Sequence, residues 1–549
     1  MPGGASRLDV LVVGAGPTGL TLGLTLAAWG VPTRVVDRQL DRVHESRALA
    51  IQPRSLEVLG ALGLAAPLLS RGNDAIRVQF HAGGKVVEVP IFDTGLEDTR
   101  YPFVLFLSQA ETEAVLSESL AERGLIVERG TELVDTTVQP AGVRCVLRHR
   151  DGRTEQVSPA YLVGCDGAHS TVRHQAGIGF AGSAYPQTFA LADVEVDGDL
   201  DPDAAHFFPA DDGVLLVFPL RHPASWRLLT IADLDPGRDP GVDQPTMTEL
   251  QEIVDRFAGG SLRLRDPFWL TYFKVHQRLA TDYRAGPVFL AGDAAHVHSP
   301  AGGQGMNTGI QDAWNLGWKL ALVLRGADPE LLDSYQAERQ PVGRFVLRLA
   351  NAPFRVATGT SRVPRLVRTR LLPRLAPLAG RIGPVRRIGF RIVSELGIRY
   401  RGSPLSVEGR PRLRTGPRAG DRLPDGPIER GNQPGWLHEA LSGPRLHLLL
   451  SGPIDAWDAA AVAAANASAR DLVAVHYLTD DPPPPADIRG DVLHDAEGSL
   501  LRRLGRGRPA QYLVRPDGHI GYRCADADLD GLRRYLDRWL PPRPAPPGA

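Results

Sequence analysis

The sequence predicts an α/β fold with more than one domain, and three observations lead to this prediction. An apolar run over 8–13 ends at a glycine-rich turn and is followed by a helical pattern over 19–29 and an apolar run over 31–37, which together form a βαβ unit. Alternating apolar stretches separated by turn residues over 180–275 indicate an antiparallel sheet. From about residue 409 a second strand–helix–strand pattern begins. A chain of 549 residues has room for about two to four domains.

Composition and charge argue against several classes of protein. The hydrophobic content of 43% and the charged content of 23% are typical of globular proteins. A net charge of −1 gives no global field that would attract nucleic acid or a membrane. The three cysteines form no C-x-x-C pair, which fits a reducing cytosol, and no apolar stretch is long enough for a membrane span or a signal peptide. We therefore expect a soluble cytoplasmic protein with no nucleic-acid or membrane partner.

The turn after the first strand has the spacing G-x-G-x-x-G. Its first glycine allows the tight turn, its second lets the backbone approach a pyrophosphate, and its third lets helix and strand pack closely. An acidic residue lies at the end of the second strand, where a carboxylate can accept ribose hydroxyl groups. The sequence therefore predicts a dinucleotide site. Its candidate residues are Gly14, Gly16, Pro17, Thr18 and Gly19 of the turn, with Asp37 and its neighbour Arg38.

Two further segments show which dinucleotide is expected. Residues 163–173 (VGCDGAHSTVR) are a strand end followed by a turn and a helix start. Residues 288–296 (VFLAGDAAH) are an apolar strand ending in Gly-Asp, and they lead into 300–307 (PAGGQGMN) and a helix. These segments resemble the DG and GD motifs of the class A flavoprotein aromatic hydroxylases, which include the para-hydroxybenzoate hydroxylase-like and phenol hydroxylase-like enzymes. The resemblance extends over 8–340.

The resemblance implies bound FAD and a set of residues that contact it. Asp37 would bind the adenosine ribose, Arg47 and Gln109 the pyrophosphate and ribityl region, and Asp293 the ribityl chain. Asp166 would lie between FAD and the approach of NAD(P)H. The helix that starts near Gly303 would direct its positive N-terminus at the flavin pyrimidine edge, where reduced flavin is negative. The remaining implied contacts are Gly292, Pro300, Gly305, Met306 and Asn307.

The family also implies the reaction. NAD(P)H would reduce FAD, O2 would add to give a flavin C4a-hydroperoxide, and an electron-rich aromatic ring would take up its distal oxygen. Only one G-x-G-x-x-G is present, so NAD(P)H is expected to dock transiently at the FAD domain. The sequence does not distinguish NADH from NADPH, and it identifies no catalytic base.

The substrate class comes from a narrower resemblance. Residues 213–220, 398–400 and 419–425 look like the bacterial aromatic polyketide hydroxylases. A multi-ring phenol or quinone is the substrate this implies. Baeyer–Villiger insertion and antibiotic inactivation on the same scaffold remain alternatives, as does a catalytically silent protein that binds FAD and a ligand. A halogenase is disfavoured because W-x-W-x-I-P is absent, and a membrane-associated epoxidase or reductase because the hydrophobic anchor is absent.

The substrate pocket is expected to use side chains of the antiparallel sheet. The candidates are Phe207, Phe208, Phe218, Trp226, Tyr272, Phe273 and His276. Tyr272 and His276 could reach a substrate hydroxyl group. Each aromatic residue has an equally simple interpretation as part of a hydrophobic core.

The sequence pattern of the C-terminal region predicts a separate domain. A strand over 447–451, a helix over 456–470 and a strand over 472–478 precede a hairpin near 515–518 and a final helix. This order resembles a thioredoxin-like fold, but the loop after its first strand has no cysteine, which excludes dithiol redox chemistry.

The full prediction is a Rossmann-like α/β FAD-binding domain over 1–180 and 276–400. An α+β antiparallel-sheet substrate domain over 181–275, together with 75–107, is inserted in it, and a thioredoxin-like domain covers 409–549. A homodimer is compatible with this organisation.

Two polar clusters have less specific interpretations. The segment 361–401 has eleven arginines and one acidic residue, Glu395, and could face an anionic ligand, a membrane surface or only solvent. Asp293, His296 and His298 resemble metal ligands, but the GD motif accounts for Asp293 and His296, and no further ligand cluster accompanies them. We therefore expect no metal site.

Overall fold

The computed structural model describes most of the chain. The described residues are 8–42, 48–74, 77–82, 84–89, 96–211, 213–220, 224–234, 244–299, 303–358, 361, 363, 366–371, 374–375, 382–431, 433–468, 472–481, 491–505 and 509–540. Arg47 and Pro300, two of the expected FAD contacts, lie outside these ranges. Within them, no helix combines the length and the apolar character needed to cross a membrane.

The described strands and helices follow one another along the whole chain. The strands are β1 (Val10–Val13), β2 (Thr33–Asp37), β3 (Ala50–Ile51), β4 (Arg77–Ala82), β5 (Lys85–Val89), β6 (Leu105–Phe106), β7 (Glu128–Arg129), β8 (Thr131–Gln139), β9 (Gly142–His149), β10 (Thr154–Val157), β11 (Tyr161–Gly164), β12 (Phe180–Asp197), β13 (Ala204–Pro209), β14 (Gly213–Pro219), β15 (Trp226–Leu234), β16 (Arg263–Ala280), β17 (Arg284–Ala285), β18 (Val288–Leu290), β19 (His296–Val297), β20 (Val407–Glu408), β21 (Pro427–Arg430), β22 (Gln433–Trp436), β23 (Leu446–Ser451), β24 (Val473–Thr479), β25 (Asp491–His494), β26 (Ala510–Val514) and β27 (Ile520–Cys524). The helices are α1 (Pro17–Ala28), α2 (Pro53–Ala61), α3 (Ala65–Arg71), α4 (Gln109–Glu122), α5 (Thr171–Gln175), α6 (Met247–Ala258), α7 (Gly305–Leu324), α8 (Asp333–Thr358), α9 (Gly383–Val393), α10 (Leu437–Ala440), α11 (Ala459–Ser468), α12 (Ser499–Leu504) and α13 (Asp530–Trp539).

A six-stranded sheet forms the framework of the N-terminal region. Its order is β17-β18-β11-β1-β2-β7, and all neighbours are parallel except the edge pair β17–β18. β1 is completely buried, as its continuous apolar run predicts for a strand covered on both faces. α1 begins at Pro17, two residues before the helical pattern expected from the sequence, and α4 is capped by Ser108, whose hydroxyl accepts a hydrogen bond from the Glu111 amide (3.2 Å).

An eight-stranded sheet follows the order β19-β16-β12-β15-β14-β13-β4-β5. It is antiparallel apart from the pair β13–β4. α6 covers one face, where Leu215 and Val217 pack against Leu250 and Val254. Val214, Leu216 and their neighbours point to the opposite face, as strand alternation requires. β16 continues to Ala280, past the domain boundary expected at 275.

The C-terminal sheet has the order β20-β27-β26-β23-β24-β25-β21-β22. β23 and β24 are parallel, whereas β26 pairs antiparallel with both β23 and β27. α11 and α13 cover one face, and α10 and α12 cover the other. The hairpin expected near 515–518 is the connection between β26 and β27.

The tip of this hairpin docks on the N-terminal region through buried charges. Arg515 donates two hydrogen bonds to Glu338 of α8 (2.6 and 2.8 Å), and Lys319 of α7 donates a third (2.8 Å). Burial alone would raise the pKa of Glu338, but the two cations lower it to about 2. Burial is the largest effect on Lys319 and, together with the nearby Arg515, lowers its pKa to about 8, although Glu338 favours the charged ammonium group. Asp517, at the tip, also pairs with Arg515.

Replacing Glu338 with alanine should destabilise the protein strongly. The change leaves Arg515 and Lys319 buried without this counter-ion, which typically costs about 3–5 kcal/mol. Denaturant unfolding would measure the loss. The control is Glu330→Ala, because Glu330 is 68% exposed and lies 4.0 Å from Arg538, so its change should stay within about 0.5 kcal/mol. Equal stabilities for the two variants would contradict this account of the interface.

Candidate functional site

The polar motifs of the N-terminal region meet at one edge of the six-stranded sheet. Val13, at the end of β1, pairs with Val36 of β2 and with Gly164 of β11, and Gly164 pairs with Leu290 of β18. The turns that follow these strands therefore lie side by side. The carboxyl edge of a parallel sheet is where open α/β folds bind their ligands.

The glycine-rich turn has no room for side chains at two of its three glycines. Gly14 has a φ of +102°, and a Cβ there would lie 2.3 Å from the Cys165 carbonyl oxygen. A Cβ on Gly19 would lie 1.9 Å from the Gly14 carbonyl oxygen. A Cβ on Gly16 would have the Glu113 carboxylate, at 4.0 Å, as its nearest neighbour. The first and third glycines thus serve protein packing, whereas the second faces open space.

Asp37 is oriented by backbone amides. Its carboxylate accepts hydrogen bonds from the amides of Ala15 (2.7 Å) and Gln39 (2.8 Å). Arg129 lies 3.6 Å away. The Ala15 contact fixes Asp37 against the glycine-rich turn, whereas the neighbouring Arg38 is exposed.

Asp166 of the DG turn also has backbone partners. It accepts hydrogen bonds from the Ser170 hydroxyl (2.5 Å) and the Val172 amide (3.1 Å), so it caps the start of α5. Burial raises the pKa of Asp166. These contacts place Asp166 beside the Gly14 turn and hold its loop in one conformation.

The GD turn packs directly on α1. Gly292 has a φ of +62°, and a Cβ there would lie 2.5 Å from the Thr18 hydroxyl. The same hydroxyl lies 2.3 Å from where a Cβ on Gly309 of α7 would be. Thr18 therefore sits where α1, the GD turn and α7 meet. Asp293 of this turn is exposed.

The N-terminus of α7 is held close to β3 by an asparagine. Asn307 donates hydrogen bonds to the carbonyls of Ala50 (2.7 Å) and Gly303 (2.8 Å) and accepts one from the Gln52 amide (2.8 Å). Its amide group therefore ties backbone segments together. The first helical residues, Gly305 and Met306, are only partly buried.

A buried charge cluster lies beneath the GD turn. Asp312 of α7 accepts hydrogen bonds from the Gly292 amide (3.1 Å), the His296 ring (2.7 Å) and the Arg339 guanidinium of α8 (2.6 Å). Burial would raise the pKa of Asp312, but Arg339 and His296 hold it below its usual value. The sequence motifs do not identify Asp312 as part of the site; the available signal is an acidic residue in the helical stretch that follows the GD motif.

The histidines of the GD segment are explained without a metal. His296 is bonded to Asp312, and burial lowers the pKa of His298 to about 4. Over the described part of the chain, no group of three or more His, Cys, Asp or Glu side chains is arranged to hold a metal ion.

Gln109 lies near the open side of the glycine-rich turn. Its amide donates to the Glu113 carboxylate (2.8 Å), the group nearest to the Gly16 position. Its backbone amide donates to the Ala48 carbonyl (3.1 Å). The structure thus brings together the glycine-rich turn, Asp37, Gln109 and the DG and GD turns.

The predicted pocket residues separate onto two faces of the eight-stranded sheet. Phe218 lies beside Phe106 of β6 (ring centroids 5.8 Å apart) and Phe207 (6.3 Å), on the face towards the N-terminal region. Phe273 lies on this face as well. Trp226 and Tyr272 are buried in the core beneath α6, with Phe208. His276 lies in β16 and is partly buried.

On the same face as Phe218, a buried ion pair ties the sheet to the N-terminal region. Arg227 forms two hydrogen bonds of 2.6 Å with Asp193 and a third of 2.9 Å with the Ala48 carbonyl. This face is therefore the one that adjoins the dinucleotide edge.

A cavity of about 590 Å³ lies elsewhere, between α9, residues 96–98 and the C-terminal region. Three of its five arginines, Arg391, Arg422 and Arg503, are paired with Asp98, Glu57 and Glu97. We assign this cavity no ligand.

The carboxyl edge of the six-stranded sheet fits FAD. The open space at Gly16, at the N-terminus of α1, suits a pyrophosphate, because a helix N-terminus attracts phosphate. Asp37 suits a ribose, and the exposed Asp293 and the start of α7 suit the flavin end.

Comparison with known proteins supports this assignment. Residues 7–350 match the FAD binding domain family, and residues 416–542 match the family described as aromatic-ring hydroxylase, C-terminal. The chain belongs to the FAD-dependent aromatic-ring hydroxylases. As a member of this family it is an FAD-dependent monooxygenase, and the predicted family and cofactor are confirmed.

Relatives and solved structures match over nearly their whole length. The 6-methylpretetramide 4-monooxygenase of Streptomyces rimosus is 38% identical, covering 100% of this chain and 97% of its own. The pentachlorophenol 4-monooxygenase of Sphingobium chlorophenolicum is 33% identical, covering 98% of each. The ternary complex of aklavinone-11 hydroxylase with FAD and aklavinone has a TM-score of 0.78 at 26% identity, covering 98% of this chain and 99% of that one. The anhydrotetracycline hydroxylase of Streptomyces rimosus has a TM-score of 0.76 at 31% identity, covering 98% and 100%.

Two glycine variants should separate cofactor binding from packing. Gly16→Ala should leave the apoprotein stable, because Gly16 has an ordinary φ of −76°, yet raise the FAD dissociation constant about tenfold or more, because the methyl group occupies the phosphate space. Gly19→Ala should instead lower the free energy of unfolding by about 1–3 kcal/mol. Fluorescence titration with FAD and thermal unfolding of the apoproteins measure both. Unchanged FAD affinity in Gly16→Ala would contradict the proposed phosphate position.

Asp293→Ala should weaken FAD binding and leave the fold intact. The side chain is exposed, and a lost charge-assisted hydrogen bond costs about 1.5–3 kcal/mol, or roughly a ten- to hundredfold loss of affinity. The control is Asp199→Ala, which removes an exposed carboxylate from a turn of the eight-stranded sheet region. Full flavin occupancy after dialysis of Asp293→Ala would rule out its assignment.

Proposed function

We propose that the chain hydroxylates a multi-ring aromatic polyketide, a phenol or a quinone, using FAD, NADPH or NADH, and O2. The observation that carries the proposal is the convergence of the glycine-rich turn, the GD turn and the start of α7 at one sheet edge, beside an aromatic sheet face. A relative and a solved structure named for anhydrotetracycline, and a solved complex with aklavinone, support the substrate class.

The residues of this chain would bind and orient FAD. The amides at the start of α1 would hold the pyrophosphate, Asp37 would accept a ribose hydroxyl, and Asp293 would accept the ribityl hydroxyl groups. Asp166 would keep the DG turn in place beside the approach of NAD(P)H. When bound, FAD supplies the electron transfer and oxygen chemistry.

The N-terminus of α7 would stabilise negative charge on the reduced cofactor. Its first amides have no partners within the helix, and the helix dipole is positive there. The Asp312 cluster would hold this terminus against the GD turn.

The substrate would lie on the sheet face that bears Phe218 and Phe207. Their rings offer an apolar surface on which a flat polycyclic molecule can stack, and an apolar surface also excludes water. Trp226 and Tyr272 would support this face from the core behind it. We assign no catalytic base.

The domain division that we propose follows the sheets. The six-stranded sheet and α7 belong to the FAD-binding domain, the eight-stranded sheet to the substrate domain, and the residues from 409 onward to a thioredoxin-like domain. The order β27-β26-β23-β24 with β23 and β24 parallel supports the last assignment. Since its hairpin tip binds α7 and α8, its role would be support of the FAD site.

The decisive measurement is turnover by the purified enzyme. NADPH and NADH oxidation would be followed with a panel of polycyclic phenols and quinones, with product masses determined in parallel. We expect at least one compound to stimulate oxidation and to gain one oxygen atom at a ring carbon. Conversion of a ketone to an ester would instead indicate Baeyer–Villiger chemistry. Bound flavin without stimulation by any compound would contradict the substrate class.

Phe218→Ala should weaken substrate binding while FAD remains bound. Loss of an aromatic stacking partner is worth about 0.5–1.5 kcal/mol beyond the buried area, so we expect KM to rise about three- to tenfold and more NADPH to be consumed without product. The control is Phe268→Ala, because the Phe268 side chain is 53% exposed and lies in β16. Identical KM values for the two variants would exclude Phe218 from the pocket.

A further inference from the structure

Glu395 occupies a conformation that an L-residue rarely adopts. It follows α9 with a φ of +60°, the left-handed region that helix ends usually assign to glycine. Gly397 is only two residues further along the chain. A non-glycine residue in this conformation is strained, and such strain persists where the side chain is needed.

The Glu395 carboxylate is buried against the first turns of α7. Its exposed fraction is only 3%. It accepts hydrogen bonds from the Thr308 hydroxyl (3.1 Å) and from the Gln311 amide. The backbone amide of Thr308 donates to the carbonyl of Gln304, the residue that precedes α7 (2.8 Å). The carboxylate thus bridges two turns of the helix whose N-terminus faces the proposed flavin site.

The backbone around Glu395 reinforces this contact. The Val393 carbonyl accepts a hydrogen bond from Gln304 (3.5 Å), and the Ser394 carbonyl accepts one from the Arg54 amide in α2 (3.2 Å). The end of α9 therefore clamps the beginnings of α7 and α2.

The charged groups around Glu395 stabilise its ionised carboxylate only weakly. Arg339 of α8 favours the charged carboxylate, whereas Asp312 of α7 opposes it. Within the described ranges, no cation forms an ion pair with Glu395. Burial is the largest effect and raises the pKa of Glu395 from 4.5 to about 7.

From this geometry we infer that Glu395 is a positioning residue of the FAD site: it clamps the first turns of α7 and places its carboxyl group behind the helix terminus that faces the flavin. This inference rests on the proposed position of FAD at the start of α7. An ionised Glu395 would oppose negative charge on reduced flavin, whereas a protonated one would not. The flavin would therefore be easier to reduce below about neutral pH than above it.

The first test uses the apoprotein and needs no flavin. Because the carboxyl group holds its proton more tightly in the folded state, the wild type loses stability as pH rises from about 4.5 to about 7. Glu395→Gln has no such proton to lose. The Tm of the variant minus that of the wild type should therefore increase across this window and level off above it. If this Tm difference stayed constant with pH, Glu395 would not titrate in this window and the inference would be overturned.

The second test measures the midpoint potential of bound FAD in the holoenzyme without substrate. Glu395→Gln should match the wild type near about pH 6 and should have a higher potential near about pH 8.5, where wild-type Glu395 is ionised. A variant that differs equally at both pH values, or at neither, would overturn the inference. A purely structural clamp would produce no pH-dependent difference.

Two further variants make the test specific. Thr308→Val removes one hydrogen-bond donor to the Glu395 carboxylate, so the pH-dependent change seen in the wild type should move to higher pH. This variant keeps the inference testable if Glu395→Gln does not fold. Asp266→Asn is the control, since Asp266 also has a positive φ (46°) but is exposed, with 72% of its side chain accessible. It should change neither measurement. Neither test requires substrate, so failure of the hydroxylation assay would not affect their outcome.

Discussion

The carboxylate of Asp312, which has no access to water, joins the elements on which the FAD site depends. It binds the amide of the GD turn, the His296 ring that follows this turn, and Arg339 of α8. Arg339 in turn reaches the Tyr400 hydroxyl (2.8 Å) and the Thr308 carbonyl (3.1 Å). Removing either partner of such a buried pair leaves an uncompensated charge, so the turn, α7 and α8 are constrained to one arrangement.

Around this centre, the site is built from backbone more than from side chains. The first and third glycines of the glycine-rich turn and Gly292 of the GD turn allow segments to approach within distances that a Cβ would prevent. Asp37, Asp166 and Asn307 are used largely to fix backbone amides and carbonyls. Such a site can hold a large cofactor by its phosphates and hydroxyl groups, because the donors are already oriented before the cofactor binds.

The C-terminal region holds the second half of α7. Arg515 of its hairpin binds Glu338 of α8, and Asp517 accepts a hydrogen bond from Asn315 in the second half of α7, while Glu395 and Asn307 hold the first half of α7. Because packed interiors deform little, a helix that is held at both ends moves as a rigid body. The C-terminal region therefore has a physical role in holding α7 and α8 in place.

The sequence by itself determined the βαβ unit, the glycine-rich turn, the DG and GD motifs, the family and its cofactor, because each depends on local spacing along the backbone. Sequence patterns placed Phe218, Trp226 and Tyr272 in one pocket, whereas packing of α6 on one sheet face separated them. The sequence patterns gave no role to Glu395 and did not identify Asp312. Only the tertiary structure decided these points, because pairing of buried charges and the choice of a buried face depend on contacts between residues distant in the chain.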